Sequence, residues 1–268
     1  MKPERLRHII AIAGIAALIL SVTLYLALPV VALFFRTTPD LFFSSLGDPL
    51  VQSALWLSLL TSSVSLTVVI LLGTPFAFFH SRSRYRGKTL IDTLIDLPLV
   101  LPPAVAGLGL LLLYGRTGLI GRYLNLFGIT IAFSTLAVIM AQIFVASPFY
   151  IRQAKALFEQ TDPAYEQTAR TLGATPLRIF LGITIPLTAE GLLSGAIMTF
   201  ARALGEFGAT IMFAGNLPGV TQTMPLAVYA GLEGNFDIGI TIAILLVIIS
   251  FAIMVAIRFF TGREVPHA

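Results

Sequence analysis

The stretch DPAYEQTARTLGATPLRIFLGITIP, residues Asp162–Pro186, is the only long polar interruption late in an otherwise apolar sequence. Asp162 can cap the start of a helix, and Pro163 suits the first helical position, where no backbone N–H is needed. Gly173 is the residue type that most easily adopts the left-handed conformation that ends a helix. Thr175 and the proline after it repeat the start signal. The stretch therefore predicts two short helices with a hinge at Gly173, and the first, of about ten residues or roughly 15 Å, is too short to cross a bilayer.

The composition around this stretch indicates a polytopic membrane protein. Of the 268 residues, 57% are hydrophobic and 11% are charged, whereas soluble domains carry about 25% charged residues. The mean hydropathy is +0.92. The absence of cysteine excludes a disulfide framework and a thiolate metal site. The histidines all lie at or beyond the predicted membrane edges and offer no buried cluster: His8, His80 and His267.

Six apolar segments are long enough to cross a hydrocarbon core of about 30 Å. They are Ile9–Phe35, Val51–Phe79, Leu94–Tyr114, Ile129–Ile151, Leu187–Phe213 and Ile238–Phe260. The first is much longer than the roughly 7–15 apolar residues of a signal peptide, and no clear cleavage site follows it, so we expect a retained helix. The sequence therefore predicts an all-α fold in which residues 1–268 form a single transmembrane domain.

Basic residues predict the orientation, because cytoplasmic loops of membrane proteins carry an excess of Lys and Arg. With six spans, one face receives thirteen of the seventeen basic residues: Lys2, Arg5, Arg7, Arg82, Arg84, Arg86, Lys88, Arg152, Lys155, Arg170, Arg178, Arg258 and Arg263. The opposite face receives Arg36, Arg116 and Arg122. We therefore expect both termini and the Asp162–Pro186 stretch to be cytoplasmic. The net charge of +4 then reflects topology, and no nucleic-acid partner is expected.

The basic run SRSRYRGK, Ser81–Lys88, permits two interpretations. It could form a phosphate-binding patch, but a charge cluster at the membrane edge that contacts anionic headgroups explains it more simply. The run lacks the upstream glycine of a G-x-x-x-x-G-K-[ST] phosphate loop. We therefore expect that this chain does not hydrolyse ATP by itself, that it holds no cofactor, and that any ATP-driven function needs a partner.

The third apolar segment predicts a broken helix. Prolines free backbone carbonyls and kink a helix, and in a membrane such breaks persist where protein or a water-filled cavity satisfies the freed groups. Pro102 and Pro103 are therefore candidates for the lining of a translocation path, and close packing between neighbouring helices is the alternative. Asp92 and Asp96, four residues apart on one helix face, suggest an interface or a wet location, with the preceding basic run as one candidate neighbour. Metal binding by this pair is a weaker alternative.

Arg202 and Glu206 are the notable charges of the fifth apolar segment, four residues apart on one predicted helix face. Charges inside a membrane span are costly enough to require a partner or water. Mutual pairing with a structural role is one interpretation. The other places Arg202 beside an anion path near an external gate, where its field would offset the cost of bringing a dianion into the membrane.

The loop after the fifth segment, AGNLPGVTQTMPLAVYAGLEGNFD, is long and polar and carries turn signals at Pro218 and Gly234. This composition suits contact with an extracytoplasmic partner. A connecting loop without a partner is the alternative.

The Asp162–Pro186 stretch resembles the cytoplasmic EAA loop of ABC-importer permease subunits. The places of that motif are held by Glu166, Ala169, Gly173, Ile183, Ile185 and Pro186. The stretch departs from the motif at Gln167 and Thr168, where alanine is common, and at Ile185, which replaces the usual Leu. In that family the loop docks into a groove on the ATPase subunit and transmits its motion. The resemblance thus implies these ATPase-coupling residues: Glu166, Ala169, Arg170, Gly173, Ala174 and Thr175.

A wider resemblance covers nearly the whole chain and identifies a substrate class. The runs ARALGEFGAT, GNLPG, TQTMPL, DLPLVLPP and ARTLGA resemble the permease subunits of molybdate, tungstate and sulfate importers. The combination of GEFGAT, NLPG and TQT favours molybdate, with tungstate or sulfate as alternatives.

This resemblance implies a type I ABC-importer permease in the cytoplasmic membrane of a prokaryote. It further implies a homodimer of this chain, two ABC ATPase subunits that bind ATP and Mg, and an extracytoplasmic oxyanion-binding protein. Alternating access follows when ATP closes the ATPase dimer and draws the two coupling loops together. Because the binding protein supplies high-affinity recognition in such systems, no tight oxyanion site is expected in this chain.

Two other classes fit the sequence less well. An ion-coupled secondary transporter needs intramembrane titratable residues and often two related halves. No repeat is visible, and Arg202, Glu206 and Glu190 are the residues that approach that description. A membrane-embedded enzyme needs a nucleophile–base or metal constellation, and the predicted spans contain neither histidine nor cysteine. Dependence of transport on an ATPase partner discriminates the importer from the secondary transporter.

Overall fold

The computed structural model describes the backbone of residues 3–261 and the side chains of residues 12–256. Within that range every regular element is helical, as predicted. The terminal residues that entered the orientation and histidine arguments lie outside the described side chains: Lys2, Arg5, Arg7, His8, Arg258, Arg263 and His267. The orientation of the termini therefore stays a prediction.

Helices follow one another with short connections. They are α1 (Pro3–Arg36), α2 (Pro39–Ser45), α3 (Pro49–Arg82), α4 (Lys88–Val100), α5 (Pro103–Tyr114), α6 (Gly121–Leu126), α7 (Thr135–Gln160), α8 (Pro163–Thr171), α9 (Pro176–Ile179), α10 (Ile185–Leu204), α11 (Gly208–Ala214), α12 (Met224–Glu233) and α13 (Phe236–Thr261). A π-helical turn, Phe180–Thr184, joins α9 to α10.

Five of these helical stretches are long and apolar enough to cross a membrane. They are Ile12–Arg36 of α1, Pro49–Arg82, Thr135–Gln160, the continuous run Pro176–Leu204 and Phe236–Ala256 of α13. The pair α4–α5 is a sixth apolar unit, bent by 114°. The prediction of a multi-pass helical membrane protein is therefore confirmed, with five continuous stretches and one bent unit in place of six similar spans.

The bend between α4 and α5 confirms the broken helix predicted for the third apolar segment, Leu94–Tyr114, and places the break before Pro103. Leu101 (φ −64°, ψ 133°) and Pro102 (φ −55°, ψ 130°) are both extended. Each precedes a proline, and the ring of the next proline disfavours helical backbone at the residue before it. Two consecutive prolines therefore produce two consecutive extended residues. The result is a sharp turn of the chain and not a mild kink.

The fifth predicted span, Leu187–Phe213, differs from the structure at both ends. Towards the N-terminus, α9 runs through the π-helical turn into α10. The second short helix of the stretch Asp162–Pro186, which we call the coupling stretch, is therefore continuous with the span. Pro186 does not end it, because the wide turn just before it leaves room for a ring that lacks an N–H. Towards the C-terminus, α10 ends at Leu204 and a separate helix, α11, begins at Gly208.

Helix α7 lies at the centre of the fold and packs against α3, α4, α5, α10 and α11. It begins at Thr135 rather than at the predicted Ile129, because Ser134 caps it by accepting the Ala137 N–H at 3.3 Å. Small buried residues such as Ala141 and Ala154 allow its neighbours to approach closely. The helix continues to Gln160 and so leads directly into the coupling stretch.

A buried polar ladder joins α3 to α7 inside this apolar core. Gln142 donates its amide to Thr61 Oγ1 at 3.2 Å and accepts from Ser65 Oγ at 3.0 Å. Further along, the hydroxyls of Thr74 and Tyr150 lie 2.7 Å apart. Because polar groups in an apolar environment need partners, these bonds select one register between the two helices.

Candidate functional site

The coupling stretch has the local geometry that the sequence predicts. Asp162 Oδ1 accepts the Ala164 N–H at 2.9 Å and so caps α8. At the other end Gly173 adopts φ +85°, and its N–H donates to the Arg170 carbonyl at 3.0 Å. Thr175 then caps α9 by accepting the Arg178 N–H at 3.4 Å. The two caps and the left-handed glycine between them are confirmed.

Helix α8 presents a buried and an exposed side. Glu166 and Ala169 face the rest of the chain and are 5% and 8% exposed. Three large apolar side chains of the same stretch are exposed: Tyr165 on α8, Leu172 just after its end and Leu177 on α9. We call these three residues the coupling face. Apolar side chains exposed on a short polar connection mark a contact surface more often than a solvated one.

Among the predicted coupling residues, Arg170, Gly173 and Thr175 are exposed and Ala174 is half-buried. They are neighbours in sequence of the coupling-face residues Leu172 and Leu177. Glu166 is different, because its carboxylate points into the chain and is not part of the exposed surface. The structure therefore brings the predicted coupling residues together in one unit but divides them between its two sides. Their role towards an ATPase stays a prediction.

Arg82 is the partner of Glu166. Its Nη2 and Nε donate to Glu166 Oε1 at 2.8 and 3.1 Å, and Nη2 also donates to the Thr161 carbonyl at 3.1 Å. The Arg82 side chain is 21% exposed. The interpretation of the run Ser81–Lys88 as a headgroup-facing cluster is therefore wrong for Arg82, although Arg84 and other members of the run are exposed.

A second charged cluster lies beside this pair. Asp92 Oδ1 accepts from Lys155 Nζ and, at 2.8 Å, from His80 Nε2. With Nε2 as the donor, Nδ1 of a neutral His80 accepts the hydroxyl proton of Tyr85, whose oxygen is 2.6 Å away. The His80 side chain is 2% exposed. The cluster joins α3, α4 and α7.

The prediction that Asp92 and Asp96 lie at an interface is confirmed, but the partners are His80, Lys155 and Arg152 and not the preceding basic run. Asp92 binds His80 at the end of α3 and Lys155 on α7, and Asp96 pairs with Arg152 on α7 at 3.5 Å. Local sequence gave no signal for these partners, because α7 is distant in the chain and approaches α4 only in the folded protein.

Arg202 and Glu206 form the ion pair that one interpretation of the sequence expects, with Arg202 Nη1 2.7 Å from Glu206 Oε2. They do not share a continuous helix, since Glu206 lies in the break between α10 and α11. Its second oxygen, Oε1, accepts the Ala209 N–H at 2.9 Å at the start of α11. Glu206 is 1% exposed, so both oxygens of a buried carboxylate are bound. This geometry supports the structural interpretation of the pair.

Pro102 and Pro103, the other candidates for the lining of the translocation path, lie beside the break between α10 and α11. A methyl group added to Gly208 would lie 2.8 Å from Pro103 Cβ, and one added to Gly107 would lie 2.8 Å from Ala209 Cα. Helices α5 and α11 therefore pack backbone against backbone, with the Pro102–Pro103 bend next to the Glu206 break. Pro102 and Pro103 are themselves exposed. Two irregular segments thus meet at one place in the fold.

The loop after α11, predicted as a long polar connection, contains helix α12 and is partly buried. Its tip, Leu217–Val220, is exposed, but Thr221–Met224 is buried. The Met224 N–H donates to Ser58 Oγ on α3 at 2.7 Å, and Thr135 Oγ1 on α7 donates to the Val220 carbonyl at 2.9 Å. Two parts of the predicted loop remain exposed for an extracytoplasmic partner, the tip Leu217–Val220 and the segment Leu232–Asp237.

Comparison with known proteins agrees with this arrangement. The family described as "Binding-protein-dependent transport system inner membrane component" matches residues 70–263. The "Molybdenum transport system permease protein ModB" of Mycobacterium tuberculosis is 41% identical over 247 residues, which cover 92% of this chain and 90% of that protein. The "Sulfate transport system permease protein CysW" of a Synechocystis species is 37% identical over 217 residues, or 80% of this chain and 79% of the relative.

Solved structures share the fold. A chain of a bacterial ABC transporter involved in the import of the acidic polysaccharide alginate superposes with a TM-score of 0.74 at 16% identity, and the match covers 97% of each chain. The described residues thus have the type I ABC-importer permease fold. This chain belongs to the family of binding-protein-dependent transport system inner membrane components.

Proposed function

We propose that this chain is the permease subunit of an ATP-driven importer that moves the oxyanion molybdate across the cytoplasmic membrane by alternating access. Family membership and the 41% identity to a protein described as a molybdenum transport permease support the proposal. The observation that carries it is the coupling stretch. The short helix α8, its end and the start of the α9–α10 run expose three apolar side chains, while the buried side of α8 is bonded to the end of the long apolar helix α3.

The coupling face is the surface that we assign to an ATPase partner. Tyr165, Leu172 and Leu177 would enter a groove of that subunit, and exposed polar residues beside them, such as Arg170 and Thr175, would form the rim. This arrangement has the apolar centre and polar edge of typical protein interfaces. Glu166 and Ala169 would act from the buried side by fixing the orientation of α8.

The substrate path would pass the place where the α4–α5 bend meets the break between α10 and α11. Irregular backbone at membrane depth is tolerated where it is buried in protein or lines a water-filled cavity. Because Arg202 is already neutralised by Glu206, we do not assign it a tight oxyanion site. Recognition at high affinity then falls to an extracytoplasmic binding protein, for which the exposed tip Leu217–Val220 is the candidate contact.

The proposed assembly contains two copies of this chain, two ABC ATPase subunits and one oxyanion-binding protein. ATP and Mg would be bound by the ATPase subunits, so this chain would not be an enzyme in its own right. Both termini and the coupling stretch would face the cytoplasm. The 37% identity to a sulfate permease makes sulfate the main alternative substrate, with the same mechanism, and tungstate follows from its chemical likeness to molybdate.

The test begins with purification of the tagged chain in mild detergent. Mass spectrometry of its partners and elemental analysis of the captured binding protein identify the assembly and the substrate. An ATPase together with a binding protein that carries molybdenum supports the proposal, whereas tungsten, or sulfate released from the binding protein, keeps the mechanism and changes the substrate. An intact, stable chain that captures no ATPase contradicts the importer assignment.

Transport by the reconstituted complex is the second step. Vesicles that contain the complex and internal ATP are given radiolabelled molybdate, and vesicles without the ATPase subunits are the control. Uptake that persists without the ATPase would favour an ion-coupled secondary transporter instead.

A further inference from the structure

We propose that the last turn of α3, with His80 and Arg82, is a junction that holds the coupling helix α8 and the bent helix pair α4–α5 in one rigid unit. In this junction Arg82 is the positioning residue of the coupling helix. The effect of this junction on transport rests on the proposed function. The contacts that form the junction lie within this chain and do not depend on that proposal.

The first arm of the junction runs from Arg82 to α8. The guanidinium donates both to Glu166, in the first turn of α8, and to the Thr161 carbonyl just before that helix. Arg82 therefore holds the start of α8 at two points. Because Glu166 is 5% exposed, its carboxylate depends on this partner, and charge-assisted bonds to a buried carboxylate are the stronger kind.

The second arm runs from His80 to α4. His80 is two residues before Arg82, and its imidazole binds Asp92 in the second turn of α4 at 2.8 Å. The ring is held from its other sides as well, because Tyr85 binds Nδ1 and Phe76 stacks on it with centroids 5.3 Å apart. Asp92 is also bound by Lys155, so α4 is tied to α3 and α7 at one carboxylate.

These two arms leave little freedom between the coupling helix and the bent pair. Close-packed helices with discrete ion pairs shift as units and do not deform continuously. A displacement of α8 would pull on Arg82, move the end of α3 and, through His80 and Asp92, move α4. Beyond the bend, α5 lies backbone to backbone on α11, next to the Glu206 break. The junction therefore offers a continuous physical connection from the coupling face to the path candidates.

Spin-label distances measure the junction directly. The chain has no cysteine, so pairs can be introduced cleanly at Gln167 on α8 and Thr89 on α4, which are both exposed. In the purified chain we expect one narrow distance peak between the labels. Arg82→Ala should broaden it, and the swap Arg82→Glu with Glu166→Arg should restore part of the narrow peak. Arg84→Ala, an exposed arginine of the same run, is the matched control and should leave the peak unchanged.

An unchanged peak in Arg82→Ala would overturn the junction. If Arg82→Ala does not yield folded protein, Arg82→Lys serves instead, since it keeps the charge but has no planar fork with which to reach both Thr161 and Glu166. This experiment uses neither ATPase nor substrate, and so its result is independent of the proposed function.

The consequence for transport is read as ATP hydrolysed per oxyanion imported by the reconstituted complex. We expect this ratio to rise several-fold in Arg82→Ala while the complex still assembles. Helix α8 would stay docked on the ATPase, but its movement would no longer be transmitted to the helices that line the substrate path. A merely structural role would lower the amount of complex without changing the ratio. A wild-type ratio in Arg82→Ala with a broadened distance peak would overturn the transmission of movement through the junction.

Discussion

Glu206 and Arg202 form an ion pair of 2.7 Å across the end of α10, and the same carboxylate accepts the backbone N–H of Ala209 at the start of α11. One buried side chain therefore neutralises an intramembrane arginine and joins two helices. This double role means that substitution of either residue affects more than one bond. The pair has to be tested as a unit.

Glu206→Ala should lower the free energy of unfolding by about 2 kcal/mol, because it leaves a partly buried arginine unpaired and removes the cap of α11. The double variant Arg202→Ala with Glu206→Ala should recover part of that loss, since it leaves no unpaired charge. The measurement is the midpoint of thermal unfolding in detergent, followed by size-exclusion chromatography. Glu233→Ala, which removes an exposed carboxylate of α12, is the control. Equal midpoints for Glu206→Ala and Glu233→Ala would contradict the role of Glu206.

Import by the same double variant separates the structural role of Arg202 from a role in the path. Because Glu206 already neutralises Arg202, we expect the double variant to import at the wild-type rate per folded complex. Uptake is measured in vesicles and divided by the amount of complex. A clear loss of uptake in a stably folded double variant would instead favour an Arg202 that lines the anion path.

Gly107 and Gly109 lie two residues apart on α5 and should respond oppositely to alanine. A methyl group on Gly107 would lie 2.8 Å from Ala209 Cα, whereas none of the described atoms lies within 4 Å of one on Gly109. Gly107→Ala should therefore cost about 1–3 kcal/mol through overpacking, while Gly109→Ala should be neutral or stabilise by up to about 1 kcal/mol. Thermal unfolding of the two variants side by side tests this, and a Gly107→Ala protein as stable as Gly109→Ala would disprove the close approach of α5 and α11.

Gly173→Ala should weaken association with the ATPase while leaving the chain in the membrane. Gly173 adopts φ +85°, and a side chain in the left-handed region costs about 1–2 kcal/mol, which α8 and α9 can relieve only by shifting. Gly182→Ala is the matched control, because Gly182 lies in the helical run after α9 with open space around it. Copurification of the ATPase with each tagged variant measures the effect. Equal ATPase recovery from both would count against the hinge as a coupling element.

The coupling face should be sensitive to charge. Leu172→Asp and Leu177→Asp introduce a carboxylate that an apolar groove would have to desolvate, so we expect binding of the ATPase to weaken about tenfold or more. Leu126→Asp alters an equally exposed leucine on α6, in the predicted outer connection, and should have no effect on binding. Titration of the purified chain with the ATPase provides the affinities. Wild-type affinity in both α8–α9 variants would remove the coupling face from the interface.

The elements that sequence reasoning predicted well are those determined by signals within a few residues. Three examples are the Asp162 cap, the left-handed Gly173 and the prolines at the α4–α5 bend. Each restricts the conformation of the backbone next to it, and this restriction does not depend on how the helices pack. The break before Gly208 was missed because no proline marks it. The continuity of α9 with α10 was missed because a π-helical turn accommodates Pro186, a local geometry that composition does not signal.

The sequence by itself determined the class of this protein: an all-helical membrane chain with a polar helical unit near residue 170, because hydropathy, capping and proline act locally. Only the tertiary structure decided which charges meet. Arg82 and Glu166 are 84 residues apart, and their contact arises when the centrally packed α7 brings the end of α3 beside the start of α8. The physical reason is that an ion pair depends on distance in space, which is decided by the packing of whole helices and not by the residues next to either charge.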